Sequence, residues 1–452
     1  MRNAQNLLRW IEEGRGRGSV VATRDCVLPL DGLEHGTSLG PDLNGLRGLS
    51  VVLSVQDIAK AAAALIELDG LARRIVLCPP GWEPSRLEFA AVTAQADALI
   101  YDGDAEPPSV YLRHSAPCRL PLQPLESPRV ADFDTEWVLP TSGTTGPPKL
   151  VVHTLGTLTG AIVDAPLQRW ATFYDIRRYG GLQIFLRAML GHGPLVVGTE
   201  GEDIGSTLAR FGDARITHIS GTPTHWRKVL MSGEGHRISP DYVRLSGEIA
   251  DQTILSALRA FFPRARIEHA YASTEAGVVF AVNDGKPGFP ARWIEDGGDV
   301  QMKIMDNTLR VRSNRCARRF LGDEAPALTD EEGFVDTGDI VERRGDRCYF
   351  MGRRGGVISV GGLKVHPEEV EAALNSIEQV CASRVFARKS PVTGALVCAE
   401  VVLRNGCAAD ADTELKILSA CRARLGPHFS PVGLRFVADL PITAGGKIAR
   451  YG

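Results

Sequence analysis

The chain is poor in everything that would mark it as secreted, membrane-bound or metal-clustered. Its nine cysteines are scattered, with no Cys-x-x-Cys pair among them. An odd, unpatterned set argues against a disulfide framework or a zinc site and for reduced thiols in the cytoplasm. No apolar run approaches the length needed to cross a bilayer. The start, Met1 to Glu13, lacks the apolar core of a signal peptide. Charge of one sign is missing as well: the formal net charge is -3, which offers nucleic acid or an anionic membrane no whole-chain attraction. Arg343-Arg344 and Arg353-Arg354 are local exceptions, read either as solvated faces or as sites for the phosphates of ATP or CoA. There is no internal repeat and no long low-complexity segment.

What is present is an ordinary globular composition, 44% hydrophobic and 23% charged, over 452 residues. That length is too great for one compact core, so two or more domains are expected. Leu49 to Val55 and Arg74 to Cys78 read as buried strands, and Asp57 to Ile66 between them reads as a helix. Strand, helix, strand is the pattern of an α/β fold with a largely parallel sheet. Prolines at 79–80, 107–108 and 121–128 punctuate it as loops. Gly352 to Gly362 is the candidate boundary. Beyond it, a helix from Pro367, strands near 383–386 and 395–403, and a helix from Thr413 to Leu425 suit a small α+β domain.

The most informative stretch is Thr141-Ser142-Gly143-Thr144-Thr145-Gly146-Pro147-Pro148-Lys149, after the apolar Trp137-Val138-Leu139. Glycines let backbone N–H groups approach a ligand, hydroxyls donate to phosphate oxygens, and lysine adds a point charge. The stretch reads as a triphosphate-handling loop, with a flexible surface linker as the bland alternative. It is not the Walker A loop, which needs Gly-Lys-Ser/Thr opening a helix. Pro147 and Pro148 would break that helix.

Four further segments follow in order: Tyr271-Ala272-Ser273-Thr274-Glu275, Asp336-Thr337-Gly338-Asp339, Gly352 to Gly362, and Pro441-Ile442-Thr443-Ala444-Gly445-Gly446-Lys447. From about residue 135 to the end, their order and spacing resemble the adenylate-forming superfamily. Its members are acyl- and aryl-CoA synthetases, nonribosomal peptide adenylation domains and firefly-type luciferases. No motif is recognised before residue 135.

The resemblance implies an α/β protein with a large N-terminal domain of mainly parallel sheets (residues 1–352) and a small, mobile α+β domain (353–452). It implies attack of a carboxylate on the α-phosphate of ATP, with release of pyrophosphate, and then a thioester to CoA or to a carrier protein's phosphopantetheine. Thr141, Ser142, Gly143, Thr144, Thr145, Gly146 and Lys149 would hold the β- and γ-phosphates. Glu275 would ligate Mg2+, and Thr274 the α-phosphate. Tyr271 would lie against the adenine, near a weakly matching loop at Gly247-Glu248. Asp339 would bind the ribose hydroxyls, and Arg353 the ribose or a phosphate. Lys447 would bridge carboxylate and α-phosphate, Gly355 would be the hinge, and Gly361-Gly362 would line the thiol tunnel.

Each residue also has a bland reading. Glu275 could sit at a helix N-terminus behind the capping residues Ser273 and Thr274. Asp336 to Asp339 could be a tight turn, and Lys447 a solvated surface charge. Two departures stand out. Members of the superfamily that the chain resembles commonly carry Asp or Lys where Gly355 stands, and many of its acyl and aryl ligases have a His where this chain has Arg177. Arginine cannot titrate as a gate, so Arg177 is expected to pair with an acid substrate, favouring one with an extra acidic or polar group. Gly180, His218 and Thr222 complete the expected acid pocket, with His218 equally readable as a core histidine. The first region is short, leaving one side of the pocket either open or covered by a partner in a homodimer.

The run from Gly361 to Glu371 looks most like the CoA ligases. A stand-alone enzyme loading a carrier protein is the first alternative, and Asp175 would there grip an amino group. A non-catalytic nucleotide-binding protein is the second, and a luciferase-like oxygenase has no positive support.

Overall fold

The structure is a computed structural model that describes residues 6–40, 43–105, 112–141, 148–163, 168–199, 201–360, 362–390, 393–443 and 445–449. Its first sheet has seven strands, with Ser50–Ser54 parallel to both Arg74–Leu77 and Ala98–Asp102. Every residue of Ser50–Ser54 and Arg74–Leu77 is buried, as continuous apolar runs in a two-faced sheet require. The Ile58–Leu68 helix between them is buried throughout and capped by Asp57, whose carboxylate accepts from Lys60 N at 2.8 Å. The strand–helix–strand expectation for this region therefore holds.

A second, eight-stranded sheet runs in the order Gly277–Val282, Arg266–Ser273, Tyr242–Ser246, His218–Gly221, Trp170–Thr172, Leu195–Val197, Val20–Ala22, Val27–Pro29. Its interior pairs are parallel and its two outer pairs antiparallel. Parallel strands finish on one edge, so Thr172, Gly221, Ser246 and Ser273 all point their following loops to the same side. In open α/β sheets that edge is where ligands bind.

An antiparallel five-stranded sheet, which includes Val335–Arg344 and Arg347–Arg353, closes this part of the molecule. After the short turn Arg354–Gly356 the chain builds a smaller unit. It has a two-stranded ribbon, a three-stranded sheet (Val380–Ser390, Gly394–Leu403, Leu434–Phe436), and the helices Pro367–Asn375 and Ala411–Leu425. Val370, Leu374, Val385, Val401 and Ile417 form its own core. The protein is thus mixed α/β, large first and small second.

Candidate active site

The polar loop is held at both ends. Glu136–Pro140 pairs antiparallel with Leu150–His153, and Thr141 N donates to Lys149 O at 2.9 Å where the loop closes. The chain leaves the loop as a strand, not a helix, as the proline argument against a Walker A loop requires. Ser142, Gly143, Thr144, Thr145 and Gly146 lie outside the described residues. Lys149 stands 5.0 Å above the ring of Phe320.

Opposite lies the end of Arg266–Ser273. The next strand is Gly277–Val282, paired antiparallel with it, so Thr274 and Glu275 occupy a hairpin turn. No helix follows Ser273, and the helix-cap reading of Glu275 is excluded. Ser273 Oγ accepts from Ala276 N at 3.0 Å, and Glu275 O from Ala317 N at 2.9 Å. Gly277 is at φ +73°, and a Cβ there would lie 2.3 Å from Arg315 O; the turn requires glycine. His153, on the strand returning from the polar loop, donates from Nε2 to Thr274 O at 2.7 Å. Burial pushes its imidazole down to about 4, so it stays neutral and fixes the turn to the neighbouring sheet. Sequence reading missed His153, which carries no motif signal.

Tyr271, Asp339 and Arg353 meet across two sheets. Tyr271 OH donates to Asp339 Oδ2 at 2.5 Å, and Arg353 Nε donates to Asp339 Oδ1 at 3.1 Å. Asp339 and Arg353 are direct register partners, which strand geometry places within reach. The Tyr271 ring stacks on Phe350 with centroids 4.4 Å apart. Burial, then the Asp339 charge, holds its phenol well above the usual range. Asp336 to Asp339 is not a tight turn: it lies inside Val335–Arg344, which is kinked at Gly338 (φ +68°). Burial works against the Arg353 charge, but Asp339 and then Glu275 hold its guanidinium above its ordinary value. Glu275 therefore shares the cleft.

Lys447 enters this cleft from the smaller unit. A hairpin joins Ile442 to Ile448, with Thr443 N donating to Lys447 O at 2.8 Å. A Cβ on Gly247 would sit 3.0 Å from Lys447 Cε, so that glycine, at φ +88°, forms the floor under the lysine. The side chain is open to solvent yet walled by protein. That crowding first, and Arg353 second, hold its ammonium below the usual range, against the pull of Glu248 and Asp339.

A model of AMP-binding enzymes matches residues 57–314, and one of the AMP-binding enzyme C-terminal domain matches 369–447. The chain belongs to the AMP-binding enzyme family. The match begins well before the motifs that start near residue 135.

Among relatives of this AMP-binding enzyme, a 2-succinylbenzoate–CoA ligase of Bacillus velezensis is 25% identical over 90% of the chain and 82% of that protein. Surfactin synthase subunit 1 of Bacillus subtilis is 23% identical over 89% of the chain, which covers 12% of that protein. The solved anthranilate CoA ligase AuaEII, in complex with anthranoyl-AMP, shares the fold with a TM-score of 0.79. It is 16% identical, and the match covers 98% of this chain and 95% of that one. The o-succinylbenzoate CoA synthetase of Bacillus subtilis, in complex with its acyl-adenylate intermediate, has a TM-score of 0.75 at 17% identity, covering 98% and 97%.

Within this AMP-binding enzyme several expected site residues have other work. Arg177 does not present a free charge to a substrate. Its guanidinium forks onto Asp175 at 2.7 and 2.5 Å and donates to Val55 O and Gln56 O at 2.6 and 2.5 Å. Only 3% exposed, it rivets the end of the seven-stranded sheet to the eight-stranded one, and it occupies Asp175 as well. His218 begins its strand, at the edge opposite the site, half-buried between Trp170 and Tyr242 and bonded through Nδ1 to Thr217 Oγ1 at 2.8 Å. Gly180 lies in the first turn of Tyr179–Leu190, beside Tyr174. Gly355 and Gly362 are exposed, and a Cβ at either would meet open space. Gly361 lies outside the described residues.

Thr222 and Glu248 hold the lysine hairpin. Thr222 Oγ1 donates to Gly446 O at 2.8 Å, while Glu248 accepts from Ile448 N at 2.9 Å and from Thr224 N at 3.0 Å. Beneath the hairpin is a cavity of about 770 Å³ whose walls include Phe173, Asp175, His225, Thr443 and Gly446.

Proposed function

We propose that this enzyme activates a carboxylic acid with ATP and passes the acyl group to CoA. The carboxylate oxygen attacks the α-phosphorus, the bond to the β-phosphate oxygen breaks, and pyrophosphate leaves with its electron pair. CoA thiolate then attacks the acyl carbon, AMP departs, and the thiol proton goes to solvent. The observation carrying this reading is Lys447 reaching into the cleft where Tyr271, Asp339 and Arg353 converge.

Asp339 accepts from the vicinal hydroxyls of the ribose, and its geometry is set by Tyr271 and Arg353. Tyr271, backed by Phe350, offers a flat face to the base. Thr274 and the polar loop donate to phosphate oxygens. Lys447 brings two anions together, the carboxylate and the α-phosphate, and stabilises the charge that develops between them. The described residues hold no cluster of three metal-ligating side chains. The single carboxylate of Glu275 beside the cleft fits Mg2+, which takes one or two protein carboxylates and completes its shell with phosphate and water. Bound there, the ion would neutralise phosphate charge.

CoA is favoured over a carrier protein by the Gly361–Glu371 run, and a carrier acting in trans is the second reading. The acid itself carries a second polar or acidic group, read by Arg187 and not Arg177. The Tyr179–Leu190 helix turns Tyr179, Gln183 and Arg187 to one face. Among the described residues Tyr179 OH and Gln183 Oε1 are buried without a partner. Arg187 donates to Ala161 O at 3.2 Å, and burial, then Arg244, pushes its guanidinium down to about 10. An anionic substituent would accept from Tyr179 OH and Arg187, and a hydroxyl on the same acid would donate to Gln183 Oε1.

Pyrophosphate release across aliphatic, aromatic, dicarboxylic and amino acids, with and without CoA, tests the reading. Release that rises with CoA supports it, and release indifferent to CoA favours the carrier. No release with any acid removes the enzyme reading. Arg187→Leu should then depress turnover of acidic acids at least tenfold more than that of neutral ones; an equal loss on both sinks the substrate assignment.

A further inference from the structure

The hairpin that carries Lys447 is seated by more than shape. Gly446 rests on the imidazole of His225, so closely that a Cβ would lie 2.0 Å from its Cε1. His225 is itself rigid. Its ring stacks on Phe173 with centroids 5.2 Å apart, and its Nδ1 accepts from Thr222 N at 3.1 Å. Accepting at Nδ1 requires the neutral ring with the proton on Nε2, and burial keeps it neutral by pushing the group down to about 4.

Glu248 ties the two sides together. One carboxylate oxygen takes Thr224 N, an otherwise open donor in the first turn of the Pro223–Met231 helix. The other takes Ile448 N, across the boundary between the large and small units. Ile448 N has no role inside its hairpin, whose backbone bonds run from Thr443 N to Lys447 O and from Ala449 N to Pro441 O. The donor is therefore free for the large unit.

We propose that Glu248 and His225 are positioning residues for the first half-reaction alone. They form a latch that holds the small unit with Lys447 inserted, and they leave thioester formation to proceed without them. This replaces the reading of Glu248 as an adenine contact, since Thr224 N and Ile448 N take its two carboxylate oxygens, and it rests on the adenylation reading above. The latch is strong enough to align and weak enough to release: charge-assisted hydrogen bonds to backbone are each worth only a modest net free energy.

Glu248→Ala and Ile448→Pro remove the same bond from its two sides. Proline removes the donor without touching the large unit, which guards against a folding defect caused by uncapping the helix at Thr224. Hydrogen exchange of the full-length chain with ATP should show protection over residues 439–449 in the wild type and its loss in both variants. Both should release pyrophosphate roughly tenfold more slowly with KM for ATP unchanged. Thioester formation from a presynthesised acyl-adenylate and CoA should stay within about twofold of wild type, since the carboxylate–phosphate bond that Lys447 helps to form already exists in the acyl-adenylate. Exchange that is the same in all three proteins, or an equal loss in both half-reactions, overturns the latch. Absence of pyrophosphate release by the wild type itself refutes the functional reading instead, and the exchange result still decides the latch.

Discussion

At the scale of single residues, the site works by giving each charge a partner that also sets its direction. Asp339 is oriented from two sides, by Tyr271 and by Arg353, before any ligand arrives. Tyr271→Phe keeps the ring and its stacking on Phe350 but removes one donor to the carboxylate. The expected result is a KM for ATP raised roughly tenfold with kcat little changed, since a hydrogen bond to a charged group is worth about 1.5 kcal/mol; initial rates against ATP concentration measure it. Arg177 shows the opposite case. By type and position it fits a substrate-binding arginine, yet its donors are spent on Asp175 and two carbonyls. A side chain's identity announces its chemistry, and only its neighbours decide whether that chemistry is still free.

At the scale of elements, turns and strand ends position the groups proposed to act on ATP. The Thr274–Glu275 turn depends on Gly277 and on His153. Gly277→Ala meets both a left-handed backbone and the Arg315 carbonyl, and a loss of about 2–4 kcal/mol is expected by chemical denaturation. His153 gives the turn a pH dependence. Its imidazole falls to about 4 in the fold, against about 6.5 in the unfolded chain. The unfolded state therefore binds the extra proton between those values. The stability it contributes is present above pH 6.5 and is lost as pH falls toward 4. Between pH 7.5 and 4.5 the wild type should lose on the order of 3 kcal/mol more than His153→Asn, read from denaturation curves at each pH. Equal losses would mean that His153 is not held neutral by the fold.

At the scale of the whole molecule, the small unit touches the large one at the hairpin and along the Pro367–Asn375 helix, where Arg344 pairs with Glu369 at 3.2 Å. Lys228 pairs with Asp439 at 2.9 Å and Asn375 donates to Asp251 at 3.4 Å, beside the bonds of Thr222 and Glu248. Such contacts separate more readily than an apolar interface, as a two-step reaction at one site requires. Gly355, with open space where its side chain would be, places no steric demand at the expected hinge, so Gly355→Lys should leave the melting temperature nearly unchanged.

Much of this was legible from sequence because it is local. Strand, helix and strand between residues 49 and 78 follow from apolar periodicity. The exclusion of a Walker A loop follows from two prolines, and the family follows from motifs whose residues sit close together along the chain. The similarity that begins at residue 57 was not legible, since the buried apolar strands there are built from interchangeable residues and leave no motif. The pairing of Arg177 with Asp175 and two distant carbonyls, the place of His218 at the far strand end, the bond from His153 to Thr274, and the tie from Glu248 to Ile448 belong to the tertiary structure alone. Each depends on residues tens to hundreds of positions apart, and hydrogen bonds fall off within a few ångströms. The sequence by itself determined which groups the protein owns. Folding decided which of them face the substrate, because only packing brings distant donors and acceptors within bonding distance.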